Sequence, residues 1–217
     1  IGHTVLRLVC HAQGHVLSPS KLRWMRHNFS WDVRHPFASH RVPSSEGTVV
    51  FHSNSASLQS LVSNHVVQNT VVFPGAGFLE MARAVAPKSL ALQSVFFTQA
   101  LVIGAPALCI KCILSNSQFE VCSDEDDQVV KVTLHCSGKL VASDGCQRID
   151  HASAHSCSCV HATHVAVLYD RFDAVELQYG PGYRTLLRTW AGKSDEIGRL
   201  KARATREGTQ LHPADLD

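Results

Sequence analysis

Residues 65–82, His-Val-Val-Gln-Asn-Thr-Val-Val-Phe-Pro-Gly-Ala-Gly-Phe-Leu-Glu-Met-Ala, constrain the chain more than any other stretch. A histidine precedes a strand-like apolar run at 71–73, the run stops at Pro74-Gly75, and an apolar helix follows. This junction puts an imidazole beside a sheet edge and a helix N-terminus within one segment, so a base and a site for developing negative charge can share a pocket. The spacing predicts a helix over 76–86. Phe78, Met81, Ala82 and Val85 recur at the i, i+3, i+4, i+7 interval of a buried face, with Glu80 and Arg83 outside it. Pro87 ends the helix, because it lacks an N–H and disfavours helical geometry in the residue before it.

Around this junction the pattern is that of an α+β protein. Short strands are expected at 48–52 and 59–61, separated by a Ser/Asn-rich turn at 53–57. After the helix, 94–103, 107–115, 118–122 and 128–142 are rich in Val, Ile, Phe and Leu and predict an antiparallel meander. The acidic run at 124–127 is expected to be a solvated hairpin turn, since it lacks the glycine and distal glutamate of a calcium loop. Small residues, His and Cys fill 144–164; an apolar run resumes at 165–170, a sharp turn falls at 177–182, and 197–203 is a further candidate strand.

Bulk properties exclude several classes. The net charge of the 217 residues is +2 with the basic residues scattered, without the basic face of a nucleic-acid binder. The basic and aromatic run at 21–31 is expected to be a docking linker. Apolar runs fall far short of the roughly 20 residues of a membrane helix, and no charged-then-apolar leader opens the chain. The expectation is a cytoplasmic protein whose eight cysteines are reduced thiols. The first residue is Ile1 and the last, Asp217, falls where a new motif begins, as expected of a segment of a longer polypeptide. Cys146, His151, His155, Cys157, Cys159, His161 and His164 are zinc-capable, but their spacing matches no common paired-ligand pattern, and no metal is expected.

His65, Asn69 and Pro74-Gly75-Ala76-Gly77 followed by Glu80-Met81-Ala82 resemble the HxxxGxxxxP and PGAGxxEMA signature of the dehydratase domains of polyketide synthases. Four more matches follow in the family's order: His35-Pro36, the HxxG-like 133–138, Tyr179-Gly180-Pro181, and the HPALLD-like 212–217. The resemblance implies a double hotdog, two antiparallel sheets each wrapped around a central helix. The first would span 31–143 and the second, incomplete, 165–217; an upstream linker would occupy 1–30 and an inter-hotdog linker 144–164. It implies His65 as catalytic base and Asp217 as catalytic aspartate, with Gly75, Pro74, Tyr179, Gly180 and Pro181 as oxyanion or substrate contacts. The implied reaction removes water from a 3-hydroxyacyl thioester on an acyl carrier protein, leaving a trans 2-enoyl thioester. No cofactor is implied beyond the carrier's phosphopantetheine arm. Implied partners are the carrier protein, neighbouring synthase domains and a second copy in a homodimer, with no nucleic acid or membrane.

The residue types suit this chemistry. Imidazole is the natural base near neutral pH, and the Gly75 N–H opens the helix where an oxyanion could sit. The departing hydroxide needs a proton, so Asp217 acts as the acid or holds a water. Burial favours the acid form and a helix N-terminus the carboxylate, and the sequence leaves both open. Two positions depart from the family: Asn69 stands where it has glycine, and Asp215 where it has an apolar residue. A product-template cyclase of the same fold and a non-catalytic scaffold are alternative readings, the first disfavoured by Pro74-Gly-Ala-Gly with Glu80-Met-Ala. The family also places a glutamine or histidine four residues after the aspartate. The 217 residues purified alone are therefore expected to be inactive or misfolded; turnover of a 3-hydroxyacyl thioester at a normal rate would contradict this.

Overall fold

The computed structural model describes residues 35–42, 44, 47–105, 108–124, 132–143, 161–192 and 196–217. The segment at 21–31 and the Cys146–Cys159 part of the His/Cys tract lie outside the described residues.

The first unit is a six-stranded antiparallel sheet packed on a helix. Its strands are β1 (His40–Val42), β2 (Thr48–Asn54), β5 (Leu90–Phe97), β6 (Cys109–Ser115), β7 (Gln118–Asp124) and β8 (Thr133–Ala142), in the order β1-β2-β6-β7-β8-β5. Against it lie α1 (Ser55–Val62) and α2 (Gly75–Val85). Phe78, Met81 and Ala82 of α2 meet Ile110, Cys112, Phe119, Val121 and Cys136 of the sheet in one core, which also takes in Phe37 and Phe73. The helix stops where expected: Ala86 is already extended before Pro87.

Several expectations are corrected. Residues 59–61 form no strand and 53–57 no turn, because β2 runs to Asn54 and α1 begins at Ser55. Leu58, Leu61 and Val62, at i, i+3 and i+4, are all buried, and that period outweighs the local Ser-rich composition. The strand expected at 94–103 lies earlier, at 90–97. Ser94 takes a positive φ of 51°, the ladder to β8 shifts between Gln93 and Phe96, and the chain leaves the sheet after this bulge. Asp124 belongs to β7 and forms an ion pair with Lys111, while 125–131 lie outside the described residues. The apolar run at 165–170, to which the sequence assigns no element, lies in a helix, α3 (Val165–Ala174), with Tyr169 buried.

The second unit contributes β9 (His161–Thr163), β11 (Leu186–Ala191) and β12 (Glu196–Leu200) in a sheet ordered β12-β11-β9, so the 197–203 strand stops at Leu200. The two units are joined by a third sheet, in which β10 (Leu177–Tyr179) pairs with β3 (His65–Val67), and β3 with β4 (Thr70–Val71). Residues 211–217 form a short 3-10 turn, Pro213–Asp215, capped by His212, whose Nδ1 accepts the Ala214 N–H at 3.2 Å. No helix among the described residues is long and apolar enough to cross a membrane.

The HxxG-like strand has a structural role. His135 is 3 % exposed; its Nδ1–H donates to the Gln99 carbonyl at 3.0 Å, its Nε2 accepts the Ser123 hydroxyl at 2.7 Å, and Phe78 stacks on the ring. Gly138 pairs with the buried Phe119, and a Cβ at Gly138 would meet that ring at 2.6 Å. Gly138→Ala is therefore expected to lower stability by about 1–3 kcal/mol in urea unfolding, whereas an unchanged midpoint would show that the ring moves freely.

Candidate active site

His65 is 7 % exposed at the start of β3, directly opposite Tyr179 in the β3–β10 ladder. The ladder thus sets a residue of the first unit against one of the second. The ring is held from one side, where its Nδ1–H donates to the Val72 carbonyl at 2.7 Å. In the neutral imidazole this leaves the lone pair on Nε2, and Nε2 lies 3.3 Å from Asp217 Oδ2. The Tyr179 hydroxyl donates to the same oxygen at 2.7 Å. The Asp217 side chain is only 14 % exposed. Burial alone would lower the His65 pKa, but the Asp217 hydrogen bond and charge, helped by the Val72 carbonyl, outweigh it and raise it above the ordinary 6.5.

Aromatic rings wall the pair. His65 lies 5.8 Å from the Tyr179 ring and 5.5 Å from that of Tyr183, and the two tyrosines stack on each other. Burial, and then the neighbouring Asp217, push both phenols well above their usual pKa and keep them neutral.

The Tyr-Gly-Pro turn supports the histidine through the residue before it. The Gly180 N–H donates to the Asn64 carbonyl at 2.8 Å and the Gly182 N–H to the Asn64 side chain at 3.3 Å. A Cβ at Gly180 would lie 2.2 Å from Asn64 Oδ1, so only glycine fits. Pro181 borders a separate cleft of about 340 Å³ lined also by Arg184, Lys201 and Arg203. Pro74 is the N-cap of α2, and Gly75 its first residue, whose N–H has no acceptor within the helix.

The two departures from the family pattern have physical answers. Gln68 and Asn69, at φ 50° and 60°, form the two-residue turn between β3 and β4, where asparagine tolerates the left-handed geometry. Asn69 also exchanges hydrogen bonds with Gln178, its N–H donating to Oε1 at 3.0 Å and its Oδ1 accepting from Nε2 at 3.1 Å. Asp215 has its own cation: Arg203 Nε donates to it at 2.7 Å, and the same guanidinium reaches the Gly182 carbonyl at 3.0 Å.

Glu80 is a further correction. It is buried at 5 %, although the helical period places it away from the apolar face. Its carboxylate accepts from His35 Nε2 at 2.9 Å and from the backbone N–H of Gln210. Val72, Asn64, Tyr183 and Arg203 also went unsingled by the sequence; only the proximity of Asn64 and Val72 to His65 could have flagged them. Of the His/Cys tract, His161 and His164 are described, and no group of three or more potential ligands occurs among the described residues.

Two sheet-and-helix units joined through one strand pair, with an imidazole from the first and a carboxylate from the second at the junction, define a double hotdog. The dehydratase domain from the CurF module of the Curacin polyketide synthase superposes with a TM-score of 0.74 at 22 % identity, covering 84 % of this chain and 73 % of that one. The CurK-module dehydratase gives 0.72 at 23 %, covering 84 % and 71 %. The family model of the polyketide synthase dehydratase domain matches residues 35–135. In sequence, the polyketide synthase PksM of Bacillus subtilis is 25 % identical over 206 residues, and the mycoketide-CoA synthase of Mycobacterium tuberculosis 25 % over 187. These alignments cover 85 % and 81 % of this chain but only 5 % and 4 % of those synthases. Residues 35–135 thus match the dehydratase domain of polyketide synthases, and the fold carries the likeness over 84 % of the chain.

The Asn69 turn gives a direct test. Asn69→Gly keeps the turn and its N–H bond to Gln178 and loses only the Oδ1 contact, for a cost under about 1 kcal/mol. Asn69→Val adds the left-handed penalty of about 1–2 kcal/mol. Equal thermal midpoints for the two variants would contradict the positive-φ assignment.

Proposed function

We propose that the chain supplies the dehydration step of a polyketide synthase, removing water from a 3-hydroxyacyl thioester to leave a trans 2-enoyl thioester. The observation that carries this reading is the 3.3 Å contact of His65 Nε2 with Asp217 Oδ2, with the other ring nitrogen committed to Val72. Such a contact lets one proton pass between the two groups. The productive arrangement has the proton on the carboxyl and the lone pair on Nε2.

His65 Nε2 takes the proton from C2 of the acyl chain. Negative charge grows on the thioester oxygen, and the Gly75 N–H at the head of α2 is its proposed donor, with Pro74 fixing where the helix starts. The electron pair of the broken C–H bond forms the C2–C3 double bond as the C3–O bond breaks. The departing hydroxide takes the proton of Asp217 and leaves as water. The imidazolium then passes its proton to the carboxylate across the same contact, and the pair is reset.

Tyr179 holds the carboxylate in place, and Gly180 and Pro181 shape the turn that supports Asn64 and His65. Nothing in this cycle needs a metal or redox cofactor. The substrate would arrive on the phosphopantetheine arm of an acyl carrier protein. The working protein would be a homodimeric, cytoplasmic multidomain synthase, without nucleic-acid or membrane partners. Two solved CurK dehydratase structures are inactive mutants, one with an aspartate changed to asparagine and one with a histidine changed to phenylalanine, which supports the same two roles here.

In the full-length protein, His65→Phe or Asp217→Asn is expected to reduce water loss by about 10²–10⁴-fold, followed by mass spectrometry of the carrier-bound acyl group. Enoyl product at the wild-type rate from either variant, or ring closure in place of water loss, would overturn the reading. The pair must keep its one proton, so activity falls as pH rises through the His65 pKa, raised above 6.5. The ion pair's contribution to stability has the same sign: full below the unfolded histidine value and lost as pH rises through the folded one.

A further inference from the structure

We infer that Glu80 is a positioning residue for Asp217: from the middle of α2 it grips the backbone just ahead of the turn that carries the aspartate and sets the reach between Asp217 and His65. The inference rests on the roles proposed for that pair.

Glu80 sits on the helix whose first residue is Gly75, yet its carboxylate faces away from the sheet core, toward the second unit. It accepts the Gln210 backbone N–H, and the Leu211 N–H also stabilises its charge. Those two residues run directly into His212 and the Pro213–Asp215 turn. On its other side His35 donates Nε2–H at 2.9 Å, while His35 Nδ1 accepts the Phe37 N–H at 3.2 Å. The His35 ring is thereby fixed as a donor toward Glu80. Buried His212 also faces the carboxylate. Burial by itself would push the Glu80 pKa up, but the donors from His35, Gln210 and Leu211 outweigh it and hold the group below the usual carboxylate value. It is a fixed anion at neutral pH.

From this anchor the chain to Asp217 has little freedom. The Asp215 N–H returns to the His212 carbonyl at 2.9 Å, and the Leu216 and Asp217 N–H groups both reach the Pro213 carbonyl, at 3.1 and 3.0 Å. On the second unit's side, Thr185 donates to the Ala214 carbonyl at 3.1 Å and Arg203 holds Asp215. Those two contacts fix the turn within its own unit. Glu80 ties it to the helix of the unit that bears the base. A shift of the Gln210–Leu211 backbone therefore moves Asp217 relative to His65, and a shift of about 1 Å costs on the order of 10²-fold in rate. A short side chain leaves the two N–H groups and the buried His35 without a common acceptor.

The test is the titration of His65 in the full-length protein, read from the ring carbon by NMR with selectively ¹³C-labelled histidine and assigned by loss of the signal in His65→Phe. The groups facing His65 are Asp217, Tyr179 and Tyr183. In Glu80→Ala the carboxylate retreats, the desolvation of His65 is no longer offset, and its midpoint falls below the wild-type value. The kcat for dehydration falls about 10²-fold with KM little changed. Glu80→Gln keeps one acceptor oxygen and is expected to restore part of both. An unmoved His65 midpoint in folded Glu80→Ala overturns the inference. If that variant does not fold, Glu80→Gln decides, and a midpoint and kcat both at wild-type values overturn it equally. The titration involves no turnover, so a wild-type protein that fails to dehydrate substrate would sink the proposed reaction while leaving the positioning measurable.

Discussion

A carboxylate 3.3 Å from a buried imidazole keeps that ring basic against its burial, and the rest of the fold keeps the distance. Desolvation alone would drive a buried His65 toward a weakly basic neutral ring. The strand pair that places Tyr179 opposite His65 supplies the frame, because it is where the two units share a backbone ladder. One tyrosine hydroxyl and one backbone carbonyl then orient the two functional atoms toward each other.

The unit carrying His65 and the unit carrying Asp217 are each ordinary in their packing. What is particular is how polar groups cross between them. Asn64 bonds the Tyr-Gly-Pro turn, Asn69 exchanges amide bonds with Gln178, and Glu80 accepts the backbone of Gln210. Each is side chain to backbone or amide to amide, with fixed geometry and little adaptability. An apolar seam would bind the units as strongly but would let them slide. The site requires register more than adhesion.

Part of this was legible in the chain itself. The strand, Pro-Gly break and helix at 71–86 are visible because apolar periodicity and a proline at each end agree. His65 and Asp217 are visible through ordered motifs. Other features were hidden for physical reasons. The α1 helix is short, and its serines mimic a turn, so its i, i+3, i+4 apolar triplet carries the only signal. Glu80 reads as a solvated position because its partners come from residues 35 and 210, and helical phase knows nothing of a second unit covering the outer face. Asp215 reads as a disturbance until Arg203, twelve residues earlier, is seen to hold it. Asn69 departs from the family's glycine, and its φ of 60° is the left-handed turn position that asparagine tolerates.

In the proposed reaction, proton removal at C2 and loss of the C3 hydroxyl occur together at the His65–Asp217 pair. This is tested most directly with a 3-hydroxyacyl carrier-protein thioester carrying two deuteriums at C2, incubated with the full-length protein and followed by intact mass. The expected product is an enoyl group lighter by the elements of HDO, with one deuterium left at C2. An acyl group that keeps both deuteriums, whether unchanged in mass or dehydrated elsewhere along the chain, would contradict it.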